Sequence, residues 1–296
     1  MSNTIDLMQA FYCEPPQLDF VWPGFLSGTV GAVVAPGATG KSFWALQAAM
    51  AVAGGIQETD LLNLKPSKPG RVLYLAGEDP EAALVRRVHA IGQHMHQEAH
   101  QAIAQNLVLQ PILGKRLDIM NHQHLRSVIE AAQGARLVVL DTLSRIHGLD
   151  ENSNGDMARL ISQLEYVAAQ TGASVLYLHH VGKGSAREGQ GDQQQAARGA
   201  SALIDNARYC AFLAKMTEEE SQKLFIDGLA PVRADRRGYF LRFGVSKQNY
   251  SEPIEDCWLE RQSGGVLLPV GMASASATAE KKAIKTPKKI GDDDDF

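Results

Sequence analysis

Short apolar runs recur along the first two thirds of the chain, separated by longer segments with helical periodicity. Continuous apolar runs of this length are typical of strands buried on both faces. Their alternation with helices predicts an α/β fold with a mainly parallel, twisted sheet and right-handed crossovers. The predicted strands are residues 30–35, 71–76, 107–113, 137–140 and 174–178, and the clearest predicted helices are residues 41–53 and 80–93.

The pattern changes in the last third of the chain, where residues 207–213, 239–245 and 258–262 form closely spaced apolar runs. This spacing predicts antiparallel strands at one edge of the sheet. Residues 1–28 are rich in proline and aromatic residues and are interpreted as an arm that packs on a neighbouring subunit. Residues 272–296 are Ala/Ser-rich, then Lys-rich, and end in DDDDF, a composition that predicts disorder. The core domain is therefore placed at residues 29–271.

Composition narrows the class of protein. The chain has 296 residues, of which 45% are hydrophobic, and three cysteines without a CxxC pair, which argues against a disulfide framework or a zinc module. No apolar run reaches the length of a membrane span and no signal peptide is recognised, so we expect a soluble cytoplasmic protein. The net charge is −4, but the four consecutive aspartates near the end account for it, so DNA binding is not excluded.

The sequence APGATGKS, residues 35–42, follows a predicted strand and opens a predicted helix. It matches the phosphate-binding P-loop except that Ala35 replaces the first glycine. Gly37 and Gly40 are expected to adopt unusual backbone angles that turn successive N–H groups toward phosphate oxygens. Lys41 would reach the β- and γ-phosphates, and Ser42 would bind Mg²⁺, so ATP and Mg²⁺ are the expected ligands. The predicted nucleotide contacts are Pro36, Gly37, Ala38, Thr39, Gly40, Lys41, Ser42 and Phe43. The alternative is a glycine-rich turn with an accidental lysine.

Two carboxylates follow predicted strands. Asp141 ends the apolar run LVVL, a Walker B pattern, and is predicted to hold Mg²⁺ directly or through water. Glu78 lies just past strand 71–76 and is assigned as the general base or the group that orients the attacking water. Asp79, which precedes Pro80, is interpreted as a helix N-cap with proline at the first helical position. The alternative is that Glu78 and Asp79 both only cap the helix.

A pair of histidines, His179 and His180, follows strand 174–178 at the end where parallel sheets bind ligands. Adjacent residues in an extended chain face opposite sides, so only one should face the nucleotide. His180 is the favoured candidate, with a hydrogen bond to the γ-phosphate. A metal site is the competing interpretation, but no third ligand lies nearby in sequence.

Two segments could hold DNA. Residues 182–198 contain Lys183, Arg187 and Arg198 and no large apolar residue, and residues 144–157 contain Arg145 and His147. Neither segment has the interleaved aromatic residues of a base-stacking surface, so we expect salt-sensitive contacts to the sugar–phosphate backbone. The alternative is a surface loop that binds no ligand.

Together, residues 35–42, Glu78, Asp141, the histidine pair and residues 193–201 resemble the RecA-like core of hexameric replicative helicases. The similarity to the RepA-type helicases of IncQ-type broad-host-range plasmids covers roughly residues 5–270. The resemblance implies a homohexameric ring that hydrolyses ATP at its subunit interfaces. Such a ring would move 5′→3′ along single-stranded DNA and unwind forked duplex during plasmid replication.

The resemblance also assigns two cations. Arg208 matches an arginine finger that reaches the γ-phosphate of the neighbouring subunit. Lys247 is similar to the lysine of a KxR pair, whose second member is here Asn249. The alternative for Arg208 is an ion pair with Asp205 in the same subunit.

Other functions remain open on the sequence. The same core fits a RecA-like strand-exchange or DNA-repair ATPase that forms filaments, or a KaiC-like regulatory ATPase that assembles on binding ATP without unwinding DNA. The acidic tail could dock on replication-initiation, primase or single-strand-binding proteins, or could serve solubility alone. The residues do not decide between a ring and a filament.

Overall fold

The computed structural model describes residues 4–180, 201–226 and 230–274. In chain order the strands of these residues are β1 (Phe20–Trp22), β2 (Phe25–Leu26), β3 (Val30–Ala35), β4 (Arg71–Ala76), β5 (Leu107–Pro111), β6 (Ala135–Asp141), β7 (Ser174–His180), β8 (Tyr209–Lys215), β9 (Leu224–Ile226), β10 (Ala230–Pro231), β11 (Phe240–Gln248), β12 (Cys257–Arg261), β13 (Leu267–Val270) and β14 (Met272–Ser274). The α-helices are α1 (Leu7–Tyr12), α2 (Lys41–Gly54), α3 (Glu81–Gly92), α4 (Gln97–Asn106), α5 (His122–Ala131), α6 (Asn154–Thr171), α7 (Ser201–Asn206) and α8 (Glu218–Lys223).

Nine of these strands form the central sheet in the order β13-β12-β11-β8-β3-β7-β6-β4-β5. The run from β8 through β5 is parallel, and β11, β12 and β13 are antiparallel to their neighbours. The structure thus confirms the α/β fold with an antiparallel edge near the C-terminus. It corrects one detail: β8, predicted as part of that edge, pairs in parallel with β3 and is antiparallel only to β11.

Two apolar layers cover the two faces of the sheet, so its central strands are buried on both sides. All six residues of β3 are buried, as the continuous apolar run predicts. On one face α2 packs with Trp44 against the sheet, and on the other α6 packs with Leu160 and Leu164. Helix α2 is buried almost all round, because it lies between the sheet and α4.

The N-terminal segment divides into two parts. Helix α1 has no buried residue and exposes Leu7 and Phe11, whereas the β1–β2 hairpin buries Trp22 and Phe25 in the chain's own core. Just before the hairpin, Asp19 accepts two hydrogen bonds from Arg136, both at 3.0 Å. The predicted arm is therefore anchored to its own core at residues 19–26.

A small sheet of order β10-β9-β14 lies beside the antiparallel edge and packs around Phe240 and Val232. Its last strand, β14, occupies residues 272–274, so the described structure extends past the predicted end of the core at residue 271. The rest of the predicted tail lies outside the described residues. Within the described ranges, no helix is both long and apolar enough to cross a membrane.

Candidate active site

The phosphate loop connects β3 to α2, as its sequence predicts. Positive φ angles occur at Ala38 (57°) and Gly40 (115°) and not at Gly37, which corrects the expectation for that glycine. The Thr39 hydroxyl donates to the Pro36 carbonyl at 2.8 Å and closes the turn. Helix α2 begins at Lys41, so its unpaired N–H groups and positive dipole end face the loop.

The Lys41 ammonium is buried under the loop. It donates to the carbonyls of Ala35 at 2.8 Å and Pro36 at 3.0 Å, and lies 3.0 Å from His180 Nδ1. Burial lowers the pKa of Lys41 to about 8, although the carboxylates of Glu78 and Asp141 act in the opposite direction. The loop thus surrounds a desolvated cation, the type of group that binds a phosphate.

Asp141 ends β6 beside the first turn of α2. Its Oδ1 accepts a hydrogen bond from Ser42 Oγ at 3.1 Å, and its Oδ2 accepts one from the Tyr74 hydroxyl at 2.7 Å. Burial raises the pKa of Asp141, and these two donors counteract the rise. A hydroxyl and a carboxylate oxygen next to a phosphate loop fit Mg²⁺, which takes few protein ligands and completes its shell with phosphate and water oxygens.

Glu78 and His180 lie in contact, as their places after strands of the same sheet suggest. His180 Nε2 is 3.1 Å from Glu78 Oε1, and the same oxygen accepts a hydrogen bond from Thr142 Oγ1 at 3.1 Å. Because Lys41 donates to Nδ1, a neutral His180 carries its proton on Nε2 and donates to Glu78. A continuous polar chain therefore runs from Lys41 through His180 to Glu78.

Asp79 has a different role from the predicted N-cap. Helix α3 begins at Glu81 with Pro80 at the N-cap, and Pro80 offers no side-chain hydrogen bond. The Asp79 carboxylate instead accepts hydrogen bonds from both terminal nitrogens of Arg87, at 2.5 and 3.0 Å. The Arg87 guanidinium stands 5.1 Å from the centre of the Phe43 ring, in cation–π range.

The turn between β12 and β13 closes the other side of the site. Arg261 Nη2 donates to the Thr39 carbonyl at 2.6 Å, and Gly265 packs so closely on the Phe43 ring that a Cβ there would lie 2.6 Å from it. These groups surround a cavity of about 350 Å³. Its lining residues are Ala38, Thr39, Gly40, Lys41, Ser42, Phe43, Glu78, Arg87, His180, Arg261 and Gly265.

The two cations assigned by resemblance lie at the edge of the sheet formed by the amino ends of β3 and β8, opposite the phosphate loop. The Arg208 backbone N–H donates to the carbonyl of Val30, where β3 begins, and its side chain is exposed. The Lys247 ammonium donates to the carbonyls of Ile204 at 3.3 Å and Asp205 at 2.5 Å. Within the described part of the chain, Arg208 makes no ion pair with Asp205.

The predicted DNA contacts are only partly described. Arg145 is exposed on the short 3₁₀ turn Leu143–Arg145 that follows β6. Lys183, Arg187 and Arg198 lie outside the described residues. His147 is largely buried, and its Nδ1 accepts a hydrogen bond from the Leu149 N–H at 3.1 Å.

Five residues of the site were not predicted from the sequence: Tyr74, Arg87, Thr142, Arg261 and Gly265. Tyr74 had a usable signal, because it is the one hydroxyl-bearing residue in the apolar run of β4 and lies near the carboxyl end of that strand. Arg261 had none, since its contact to Thr39 spans 222 residues of sequence.

Comparison with known proteins identifies a family and a shared fold. Residues 3–186 match the family described as AAA domain. The solved ATPase domain of G40P superposes with a TM-score of 0.57 at 13% identity, over 90% of this chain and 99% of that one. The RadB recombinase gives a TM-score of 0.49 at 13% identity, over 81% of this chain and 90% of that one. At such low identity the G40P likeness shows a shared RecA-like fold.

Proposed function

This chain belongs to the AAA domain family, and we propose that it is an ATP-driven, ring-forming replicative DNA helicase. In this proposal it moves along single-stranded DNA and unwinds forked duplex, 5′→3′ and in plasmid replication by its resemblance to RepA-type helicases. The observation that carries the proposal is one cavity lined by a phosphate loop, Ser42 and the Glu78–His180 pair, with Asp141 hydrogen-bonded to Ser42.

The residues of this cavity divide the chemistry of ATP hydrolysis. The loop N–H groups and Lys41 bind the phosphates, and bound Mg²⁺, held by Ser42 and Asp141, would neutralise charge on the phosphate oxygens. Glu78 Oε1 is occupied by two donors, which fixes the carboxylate and leaves its other oxygen to orient and deprotonate water. His180 contacts both Lys41 and Glu78, so it is placed to respond when the γ-phosphate leaves.

The second half of the proposed site comes from another copy. Arg208 and Lys247 lie at the edge of the sheet opposite their own phosphate loop, and the Arg208 side chain is exposed. We assign Arg208 to the γ-phosphate of the next subunit, where a cation stabilises the transition state, with Lys247 beside it. The exposed apolar residues of α1 would pack on a neighbouring subunit of the same ring.

DNA contacts are assigned to Arg145, Lys183, Arg187 and Arg198. In a ring, several copies of these cations would face one phosphate backbone, which gives salt-sensitive binding without base specificity. Replication-initiation, primase or single-strand-binding proteins are the partners proposed for the acidic tail. The cytoplasm is the proposed location.

The test combines assembly, turnover and unwinding. Light scattering should show a hexamer with ATP, ATP turnover should rise with single-stranded DNA, and a labelled forked duplex should be separated. Glu78→Gln should still bind ATP but lose turnover and unwinding. Assembly and turnover that ignore DNA, with the fork intact, would refute the helicase and favour the regulatory ATPase that assembles without unwinding.

A further inference from the structure

Glu78, which follows β4, is hydrogen-bonded to the segment that follows β6. The Thr142 hydroxyl donates to Glu78 Oε1 at 3.1 Å, and Thr142 itself is buried. Ser144 Oγ lies 3.1 Å from Thr142 Oγ1. Because the single Thr142 hydroxyl proton is directed to Glu78, Ser144 acts as the donor in the second bond. A chain of hydroxyls therefore runs from exposed Ser144 through Thr142 to the carboxylate.

The backbone makes two further connections between the same segments. The Gly77 N–H donates to the Asp141 carbonyl at 2.5 Å. A Cβ added to Gly77 would lie 2.6 Å from the Arg145 Cβ, so the Arg145 side chain packs directly on the peptide that carries Glu78. A displacement of the turn at residues 142–145 must therefore also displace Glu78.

The outer end of this turn carries exposed groups. Ser144 and Arg145 are both exposed, and the Arg145 guanidinium has no ion pair among the described residues. The Arg145 guanidinium is suited to a phosphate group, and the Ser144 hydroxyl, which has one proton, donates to that phosphate only when it releases Thr142. The turn thus has a surface for a phosphate on one side and a hydrogen bond to the water-orienting carboxylate on the other.

We propose that Thr142 is a positioning residue, which fixes Glu78 for hydrolysis and transmits DNA-phosphate binding at Ser144 and Arg145 to that carboxylate. The part of this proposal that concerns DNA rests on the proposed function. Glu78 without the Thr142 bond keeps only its contact to His180 among the hydrogen bonds of the described residues, so the carboxylate can rotate. Loss of orientation should then reduce the chemical step and leave nucleotide binding intact.

The experiment compares Thr142→Val, which keeps the shape and removes the hydroxyl, with Thr142→Ser, which keeps the hydroxyl. Turnover is measured against ATP concentration with and without single-stranded DNA, and nucleotide affinity is measured separately with a fluorescent ATP analogue. Thr171→Val is the matched control, because its hydroxyl donates to the Val167 carbonyl at the C-terminal end of α6, away from the residues that line the cavity.

Thr142→Val should lower kcat about tenfold without DNA, with KM and nucleotide Kd within about twofold of the parent. Its stimulation by DNA should fall toward one, and Thr142→Ser should restore both values. A valine variant with parental kcat, or a serine variant as slow as the valine one, would overturn the positioning role. If the parent turns over ATP but ignores DNA, the proposed helicase fails, whereas the kcat comparison still decides how Glu78 is positioned.

Discussion

At the scale of single residues, the site depends on the hydrogen bonds that hold its buried carboxylate. Burial raises the pKa of Asp141, and hydrogen bonds from Tyr74 and Ser42 lower it again. Ser42 is itself a candidate metal ligand, so Tyr74 is the donor that serves only to orient the carboxylate. The Tyr74 hydroxyl is fully buried, 2.7 Å from Oδ2 and 3.4 Å from the Ser42 carbonyl. It fixes which oxygen of Asp141 faces the phosphate loop.

Tyr74→Phe should therefore weaken Mg²⁺ binding. The Mg²⁺ concentration for half-maximal turnover is expected to rise about tenfold, as for other groups that orient metal ligands. Mn²⁺ titrated into the nucleotide complex and followed by electron spin resonance should show the same loss. Nucleotide affinity without a divalent ion should be unchanged.

Tyr177→Phe provides the control for this change. Its hydroxyl is equally buried and donates to the Leu203 carbonyl at 2.5 Å, away from the carboxylates. Tyr177→Phe should lose about 1 kcal/mol of folding stability, the usual contribution of one hydrogen bond, and Tyr74→Phe about 1.5–3 kcal/mol, because its hydroxyl bonds to a carboxylate. A Mg²⁺ requirement that rises equally in both variants would mean that Tyr74 acts through stability alone.

Residues at strand ends could be predicted, and residues that reach the site from elsewhere could not. Asp141 stands directly after a continuous apolar run and His180 one residue beyond another, so their positions followed from the strands. Glu78 followed from β4 in the same way. Arg261 contacts the phosphate loop and Arg87 contacts Phe43, each from an element distant in sequence. No local sequence pattern predicts such long-range contacts.

At the scale of elements, buried strands were easier to predict than exposed or short ones. The bounds of β3 and β4 follow from uninterrupted apolar runs whose faces are both covered. The two-residue strands β2 and β10 have too few residues to show a period. The parallel pairing of β8 was missed because its run carries no information about which strand it joins.

The β12–β13 turn makes a testable contribution to nucleotide binding. Arg261→Met keeps an apolar stem and removes the guanidinium that donates to the Thr39 carbonyl. Loss of a hydrogen bond to a charged group costs about 1.5–3 kcal/mol. Nucleotide would have to restore the loop shape that this bond maintains, so the Kd of an ATP analogue should rise about tenfold or more. Arg233→Met, which removes an exposed arginine paired with Asp235, should change neither affinity nor melting temperature. Equal affinities in the two variants would exclude the turn from nucleotide binding.

The anchor of the N-terminal segment has a predictable pH dependence. Hydrogen bonds and charge from Arg136 lower the pKa of Asp19 from 3.8 to about 2. The unfolded chain therefore binds a proton first as the pH falls, so this pair stabilises the folded state above pH 4 and loses its effect toward pH 2. Asp19 is partly open to solvent, which limits the contribution to about 1 kcal/mol.

Urea unfolding of the parent and of Asp19→Asn measures this effect. The difference in unfolding free energy should be constant above about pH 5 and shrink as the pH falls through 4 toward 2. Asp235→Asn removes an exposed carboxylate paired with Arg233 and serves as the comparison. A difference for Asp19→Asn that grows in acid would contradict the assignment, since it would require a raised pKa.

At the scale of the whole molecule, we propose that the two edges of the sheet carry complementary parts of one site. The carboxyl edge holds the phosphate loop, Glu78 and Asp141, and the amino edge holds Arg208 beside the start of β3. One copy cannot bring both edges to the same nucleotide. Head-to-tail contacts that join them generate a ring or a helix, depending on the rotation at each step.

Mixing defective copies tests this division between subunits. Lys41→Ala removes the phosphate-binding cation and Arg208→Ala removes the proposed finger, so each variant alone should be inactive. In a random equal mixture, about a quarter of the interfaces pair an intact Lys41 with an intact Arg208, so turnover should recover toward that fraction. Lys41→Ala mixed with Glu78→Gln should stay inactive, because both residues line the same cavity of one copy. A first mixture as inactive as the second would show that Arg208 does not act across the interface.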